Sequence, residues 1–364
     1  MKNNLLFYVI IICGSEIMQS IFSITRKQLE EYFINLGDKK FRATQIYEWV
    51  YRKGVRNFDD MTNISKENID KLKEDFEFND IKMVKKQEDD LVKKYLFELN
   101  DGNKIESVLM EHDYGLSICI SSQIGCNMGC AFCESGRLKK VRDLTSDEML
   151  LQVMKVEEDV KKRISHVVIM GIGEPFDNYN NFMNFIRIIT DPYALAIGQR
   201  HITVSTSGIV PKIKEFADEE TGVNLAISLH APNNTLRSKI MKINNAYKIE
   251  EILDAVKYYI KKTNRRVTFE YIMLRNVNDS KECALELCSI LKGINCYVNL
   301  IPYNETENIE FKRSNPSQIG EFYDILKKNN INVTIRKEFG SKVSAACGQL
   351  RAEIEASIKN DKEV

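Results

Sequence analysis

Cys126-Asn-Met-Gly-Cys130-Ala-Phe-Cys133 follows the apolar run Ser117-Ile-Cys-Ile-Ser121, and that junction decides the reading of this chain. Three thiols within eight residues can wrap one metal centre. A closed zinc site normally draws four ligands from two paired Cys-x-x-Cys arms, and no second arm follows here. Three thiolates suit a cubane iron–sulfur cluster with one iron left open to a substrate or cofactor. A structural zinc with a distant fourth ligand is the plainer alternative. The chain offers few histidines for it: His112, His166, His201 and His230.

Downstream of the run, strand-like segments alternate with helical ones. Strands are expected at 117–121, 166–170, 201–206, 223–228, 267–274, 297–302 and 333–336. Helical periodicity falls at 146–160, 179–189, 211–217, 249–261, 280–292 and 316–329. Such alternation predicts a parallel sheet, and runs such as His166-Val-Val-Ile-Met read as strands buried on both faces. The fold class is therefore α/β, a partial (β/α) barrel. In such barrels the active site gathers at the C-terminal ends of the strands.

Upstream, residues 91–116 read as a β-hairpin linker, with Asn100-Asp-Gly-Asn as its turn. Residues 18–90 read as a helical unit, in which Leu29, Tyr32, Phe33 and Leu36 recur at helical spacing and Gly37 fits a helix stop. Between Lys39 and Arg56 stand six basic residues against one acid, Glu48. A basic face of this kind is a solvated surface or an RNA contact. Leu5 to Cys13 is apolar but too short to span a bilayer. It could pass for a weak signal peptide. Residues 1–17 are read instead as a dispensable or spurious extension, with Met18 as a candidate start. Residues 354–364 are expected to form a polar tail.

The 364 residues carry 52 Lys and Arg against 52 Asp and Glu, so nucleic-acid binding must come from local patches. Nine cysteines, an odd number in a chain this long, argue against a disulfide-stapled secreted domain and for a reducing compartment.

The motifs together resemble one family. CxxxCxxC after the first strand, and Gly171-Ile-Gly173-Glu174-Pro175 after the second, are similar to the radical S-adenosylmethionine superfamily. Ser121-Ser-Gln-Ile-Gly-Cys126, Gly198-Gln-Arg-His-Ile-Thr-Val-Ser205, Leu225-Ala-Ile-Ser228-Leu-His230-Ala, Phe269-Glu-Tyr, Asn299-Leu-Ile-Pro-Tyr-Asn304 and Ala345-Ala-Cys347-Gly-Gln-Leu resemble the RlmN/Cfr family of RNA adenosine methyltransferases. The likeness runs from about Ser23 to Glu353, so a radical S-adenosylmethionine core over 117–353 with a C-terminal catalytic Cys loop is expected.

The resemblance implies that Cys126, Cys130 and Cys133 hold a [4Fe–4S] cluster. It implies that Gly173, Glu174, Ser205, Ser228, Leu229, His230 and Asn304 contact S-adenosylmethionine, with Glu174 accepting from the methionine amino group. Cys347 would be the methyl-carrying cysteine and Cys119 its redox partner in a disulfide, with Glu106 a proton acceptor. Two S-adenosylmethionine molecules would be consumed per turnover. The implied substrates are 23S ribosomal RNA and transfer RNA. The implied partner is a reducing electron donor such as flavodoxin or ferredoxin. A cytoplasmic monomer with no membrane association is expected.

The family divides between methylation at C2 and at C8 of adenine, the second conferring antibiotic resistance, and Gly173-Glu174-Pro175 is closer to the C2 branch. The rival from another class is a zinc-stabilised RNA-binding protein without catalysis. Several positions depart from the family pattern: Glu134 after the third cysteine, Arg142-Asp143-Leu144, Met241-Lys242-Ile243 and Gly136-Arg-Leu-Lys-Lys140. Cys283, Cys288 and Cys296 read as packing residues.

Overall fold

The computed structural model describes residues 18–137, 139–306 and 308–336, together with the backbone of Ile11–Ile12 and Ser15–Glu16. Helices α1 (Arg26–Asn35), α2 (Phe41–Tyr47) and α3 (Lys66–Asp75) form the first unit. Thr25 caps α1 in a capping box with Gln28, and Gly37, at φ +78°, turns the chain out of it.

Four antiparallel strands follow: β1 (Lys82–Asp89), β2 (Val92–Glu98), β3 (Lys104–His112) and β4 (Gly115–Ile120). From β4 onward every neighbour is parallel. The strands are β5 (Ile164–Ile169), β6 (Ile202–Thr206), β7 (Asn224–Ser228), β8 (Val267–Met273), β9 (Cys296–Pro302) and β10 (Val333–Ile335). Between them run α4 (Ser146–Val160), α5 (Tyr179–Ile189), α6 (Val210–Asp218), α7 (Asn234–Ile240), α8 (Ile249–Thr263), α9 (Lys281–Leu291) and α10 (Pro316–Lys328). These ten strands make one sheet in chain order. Helical crossovers between the parallel pairs produce that order.

Two expectations change. The hairpin over 91–116 is no separate linker, because β4 pairs with β3 on one edge and β5 on the other. Its neighbour β1 begins at Lys82, inside the segment read as helical. The parallel strands are also not buried on both faces. Ile118, Ile120, Val167, Ile169, Val204, Leu225, Ile227, Phe269, Tyr271, Val298 and Leu300 are buried in the row packed against the helices. The opposite row carries Cys119, Val168, Thr203 and Asn224 in one register line, and Ser228, Glu270, Asn299 and Thr334 in another. An open barrel leaves that concave row free for a ligand, so it tolerates polar side chains.

The helical unit shares one hydrophobic core with the barrel, from Phe22, Phe33 and Tyr47 through to Phe182 and Tyr259. Arg26 bonds Asp191 at 2.9 Å, Arg52 the Pro192 carbonyl at 2.9 Å and Arg56 Glu158 at 2.7 Å. Part of the basic stretch therefore fastens the unit to the barrel, whereas Lys39 and Lys40 stay exposed. No helix among the described residues is long and apolar enough to cross a membrane.

Candidate active site

The three cysteines leave the barrel on a loop after β4. Gly125 (φ +73°) and Gly129 (φ +61°) let that loop bend on either side of Cys126. Its far end is pinned: the Ala131 amide donates to the Ile240 carbonyl at 2.9 Å, and Cys130 bridges Met241 in antiparallel fashion. Gly136 packs on the same segment, and a Cβ there would stand 2.8 Å from the Cys130 carbonyl.

The three thiols lie within electrostatic reach of one another. Burial, with Glu174 and Cys133 adding to it, pushes the Cys126 thiol up to about 12. Burial pushes Cys130 up as well. Such a trio becomes a set of thiolates when metal supplies the opposing charge. Among the described residues no three His, Cys, Asp or Glu groups stand close enough to grip a single ion. Glu134 Oε1, Ser135 Oγ and the Tyr303 hydroxyl are buried beside Cys133 without a hydrogen-bond partner among the described residues. Three thiols on one loop, with the Ser135 and Tyr303 hydroxyls able to donate beside them, fit a bulky anionic cluster, and Cys126, Cys130 and Cys133 are the residues that would hold it.

The glycine turn after β5 lies flat on the end of β4. A Cβ on Gly171 would meet Ile120 O at 2.7 Å, and one on Gly173 would meet Gln123 N at 2.7 Å. Gly173 also adopts φ +111°. The Ser122 amide donates to Ile172 O at 2.8 Å, and the Glu174 amide to Gln123 Oε1 at 2.8 Å. Both oxygens of the Glu174 carboxylate are engaged by backbone amides. Its Oε1 accepts from the Phe176 amide at 3.0 Å and its Oε2 from the Ser207 amide at 2.7 Å. The side chain closes the turn and staples it to the end of β6.

Beyond it, Ser205 Oγ and Ser228 Oγ stand 3.4 Å apart on adjacent strands. His230, at φ +58°, follows β7. Its Nδ1 accepts from the Ile272 amide at 3.0 Å, so the imidazole is neutral with its proton on Nε2. Burial and the nearby Arg237 push its pKa down to about 3. The Phe132 ring meets it edge-on at 4.9 Å, tying the cysteine loop to this strand end. Leu229 is buried and Asn304 is exposed just past β9.

Cys119 faces the concave side of β4, opposite Val108 and beside Val168. Glu106 lies two residues along from Val108 on the same face of β3, almost fully buried. Its carboxylate stands 3.8 Å from the ammonium of Lys94, which is also buried. Cys283 and Cys288 sit on α9, and Cys296 opens β9 in its helix-facing row. Cys347 lies outside the described residues.

Sequence reasoning missed Arg237, which has no surface exposure, and α7, the helix that carries it. The seven-residue stretch Asn-Thr-Leu-Arg-Ser-Lys-Ile has little apolar periodicity. Its only advance signal is Asn233, an N-cap residue type that here accepts from the Leu236 amide.

A cysteine loop at the end of the first parallel strand, a glycine turn against it and hydroxyls at the next strand ends, all on one rim of an open barrel, define a radical S-adenosylmethionine enzyme. Residues 120–288 match the Radical SAM superfamily and residues 19–78 the ribosomal RNA large subunit methyltransferase N-terminal domain. A "probable dual-specificity RNA methyltransferase RlmN" of Enterococcus faecalis is 56% identical over 92% of this chain and 96% of its own. One from Streptococcus thermophilus is 52% identical over 94% and 90%. A crystal structure of a radical SAM methyltransferase from Sphaerobacter thermophilus superposes with TM-score 0.84 at 38% identity, over 91% of this chain and 98% of that one. The chain belongs to the RlmN family of radical S-adenosylmethionine RNA methyltransferases. Membership of that superfamily implies S-adenosylmethionine and a [4Fe–4S] cluster as cofactors.

Proposed function

We propose that this protein methylates C2 of an adenosine in 23S ribosomal RNA and of the adenosine following the anticodon in transfer RNAs. The carrying observation is the RNA methyltransferase likeness along nearly the whole chain, joined to a polar concave face that holds Cys119 and Glu106.

C2 of adenine is neither acidic nor nucleophilic, and the bound cluster with S-adenosylmethionine supplies the radical chemistry such a carbon requires. Two S-adenosylmethionine molecules serve each turnover, one for the methyl group and one for the radical step. Cys126, Cys130 and Cys133 hold the cluster. Gly173, Glu174, Ser205, Ser228, Leu229, His230 and Asn304 shape the neighbouring cofactor site, with Glu174 acting through the turn it closes. Cys347 takes up the methyl group on its sulfur and presents that carbon to the base, so that a covalent link joins protein and RNA. A proton then leaves the ring carbon towards Glu106 or Cys119. The Cys119 thiolate attacks the Cys347 sulfur, forming a disulfide as the carbon–sulfur bond breaks with its electron pair passing to the methylene carbon, which takes a proton from solvent to become the methyl group of the departing base. A small electron-transfer protein such as flavodoxin or ferredoxin restores the dithiol and reduces the cluster. The target base must be splayed from a loop to enter the concave face, which favours RNA loops over duplexes. The enzyme acts as a cytoplasmic monomer.

Mass spectrometry of ribosomal and transfer RNA from cells lacking and regaining the gene tests this. Gain of 2-methyladenosine is expected, and 8-methyladenosine as the main product would overturn it. Anaerobically purified protein should be brown, with iron and sulfide rather than one zinc.

A further inference from the structure

We propose that Arg237 is the buried counter-charge of the iron–sulfur site, positioned to favour the cluster's reduction. The inference rests on the three thiols holding a cluster and is independent of which RNA is the substrate.

The guanidinium has no surface exposure, yet every bond it makes goes to a neutral oxygen. Nε donates to Leu229 O at 3.1 Å and Nη1 to Asn244 Oδ1 at 3.1 Å. Nη2 donates to Ser207 O at 2.6 Å and Ser228 O at 3.1 Å. Among the described residues no carboxylate pairs with it. A cation taken fully out of water without an anion is costly and persists only where something offsets its charge. The group that would act favourably on it is Cys130 once it is a thiolate.

The connection is also mechanical. Arg237 sits on α7, whose last residue, Ile240, accepts the Ala131 amide of the cysteine loop, and the following Met241 bridges Cys130. The same guanidinium holds the carbonyls of Ser207, Ser228 and Leu229, at the ends of the two strands beside the glycine turn. One buried cation therefore lies between the thiol loop and the neighbouring strand ends.

Three thiolates on a [4Fe–4S] core carry net negative charge, and reduction adds one more. A fixed cation nearby stabilises the reduced form more than the oxidised form, because the attraction grows with the added electron. Removing or neutralising that cation should make the cluster harder to reduce.

The test uses the full chain, reconstituted anaerobically, with iron and sulfide counted and the midpoint potential read by EPR-monitored titration. Arg237→Met removes the charge. Asn244→Asp keeps Arg237 and places a carboxylate against it. Arg237→Lys keeps the charge but loses the fork. Both Arg237→Met and Asn244→Asp should lower the one-electron reduction constant tenfold or more, at about 59 mV per tenfold. Arg237→Lys should stay within about threefold. If Arg237→Met does not fold, Asn244→Asp decides, since relieving an uncompensated cation should leave the cluster-free protein melting no lower than wild type. Unshifted potentials overturn the proposal. So does a shift in Arg237→Lys equal to that in Arg237→Met, or a collapsed Asn244→Asp. Wild-type protein without iron and sulfide would instead sink the cluster assignment, a separate failure.

Discussion

Glu174 Oε2 accepts the Ser207 amide at 2.7 Å, so a single buried carboxylate joins the turn after β5 to the end of β6. The other oxygen closes its own turn through Phe176 at 3.0 Å. The strand ends that frame the cofactor site are thus held together by a side chain that reads, from sequence, as a ligand contact. Glu174→Gln replaces one acceptor by an amide that faces an N–H group. It should cost about 1–3 kcal/mol and weaken S-adenosylmethionine binding through the turn. Thermal melting and a binding isotherm check both, and unchanged values would refute the staple.

Gly173→Ala should be more severe. The new methyl would meet the Gln123 backbone nitrogen at 2.7 Å, and the residue must hold φ +111°. Strain and crowding together predict a loss of about 2–4 kcal/mol. A denaturant midpoint equal to wild type would show that the turn can move aside.

His230 gives the fold an acid sensitivity of known sign. Its folded pKa is pushed down to about 3, whereas the unfolded side chain titrates near 6.5. The unfolded chain therefore takes a proton first as pH drops. The stability contributed by the neutral ring is whole above about 6.5 and is lost towards 3, at up to about 1.4 kcal/mol per pH unit. From pH 7 to pH 5, urea unfolding should show wild type losing about 2 kcal/mol more stability than His230→Gln. Parallel pH profiles for the two proteins would remove His230 as the cause.

The cysteine on the concave face, Cys119, leads to a distinct outcome. Cys119→Ala should still allow Cys347 to acquire its methyl group but should trap a covalent RNA adduct, because among the described residues no second thiol faces the same row to release it. Cys283 and Cys288 sit on α9, on the far side of the sheet. Cys347→Ala should give neither adduct nor product. A denaturing gel with labelled RNA reads the difference, and normal turnover by Cys119→Ala would refute the two-cysteine release.

The basic segment divides into two jobs. Lys39→Ala with Lys40→Ala should leave melting unchanged while lowering RNA affinity and reducing the salt slope by about one for each phosphate no longer neutralised. Arg56→Ala breaks the 2.7 Å pair with Glu158 and should lower stability by less than about 1 kcal/mol, since both partners are partly exposed. The opposite pattern would place the RNA-binding side chains around Arg56.

The sequence by itself determined the order of strands and helices from Ser117 to Arg336 apart from α7, because each strand's apolar row and each longer helix's apolar stripe are written locally. It also determined the thiol trio, whose spacing is a local property. It misplaced β1, whose alternation of exposed and half-buried residues offers little apolar contrast, and it missed the polar α7. Tertiary structure alone decided that Glu174 bonds Ser207, thirty-three residues away. It alone decided that Arg26, Arg52 and Arg56 clamp the helical unit to the barrel. The burial of Arg237 among four neutral oxygens likewise follows only from the fold. Whether a charged side chain is solvated, paired or stranded depends on what other segments bring to it, and that information is absent from the residues on either side.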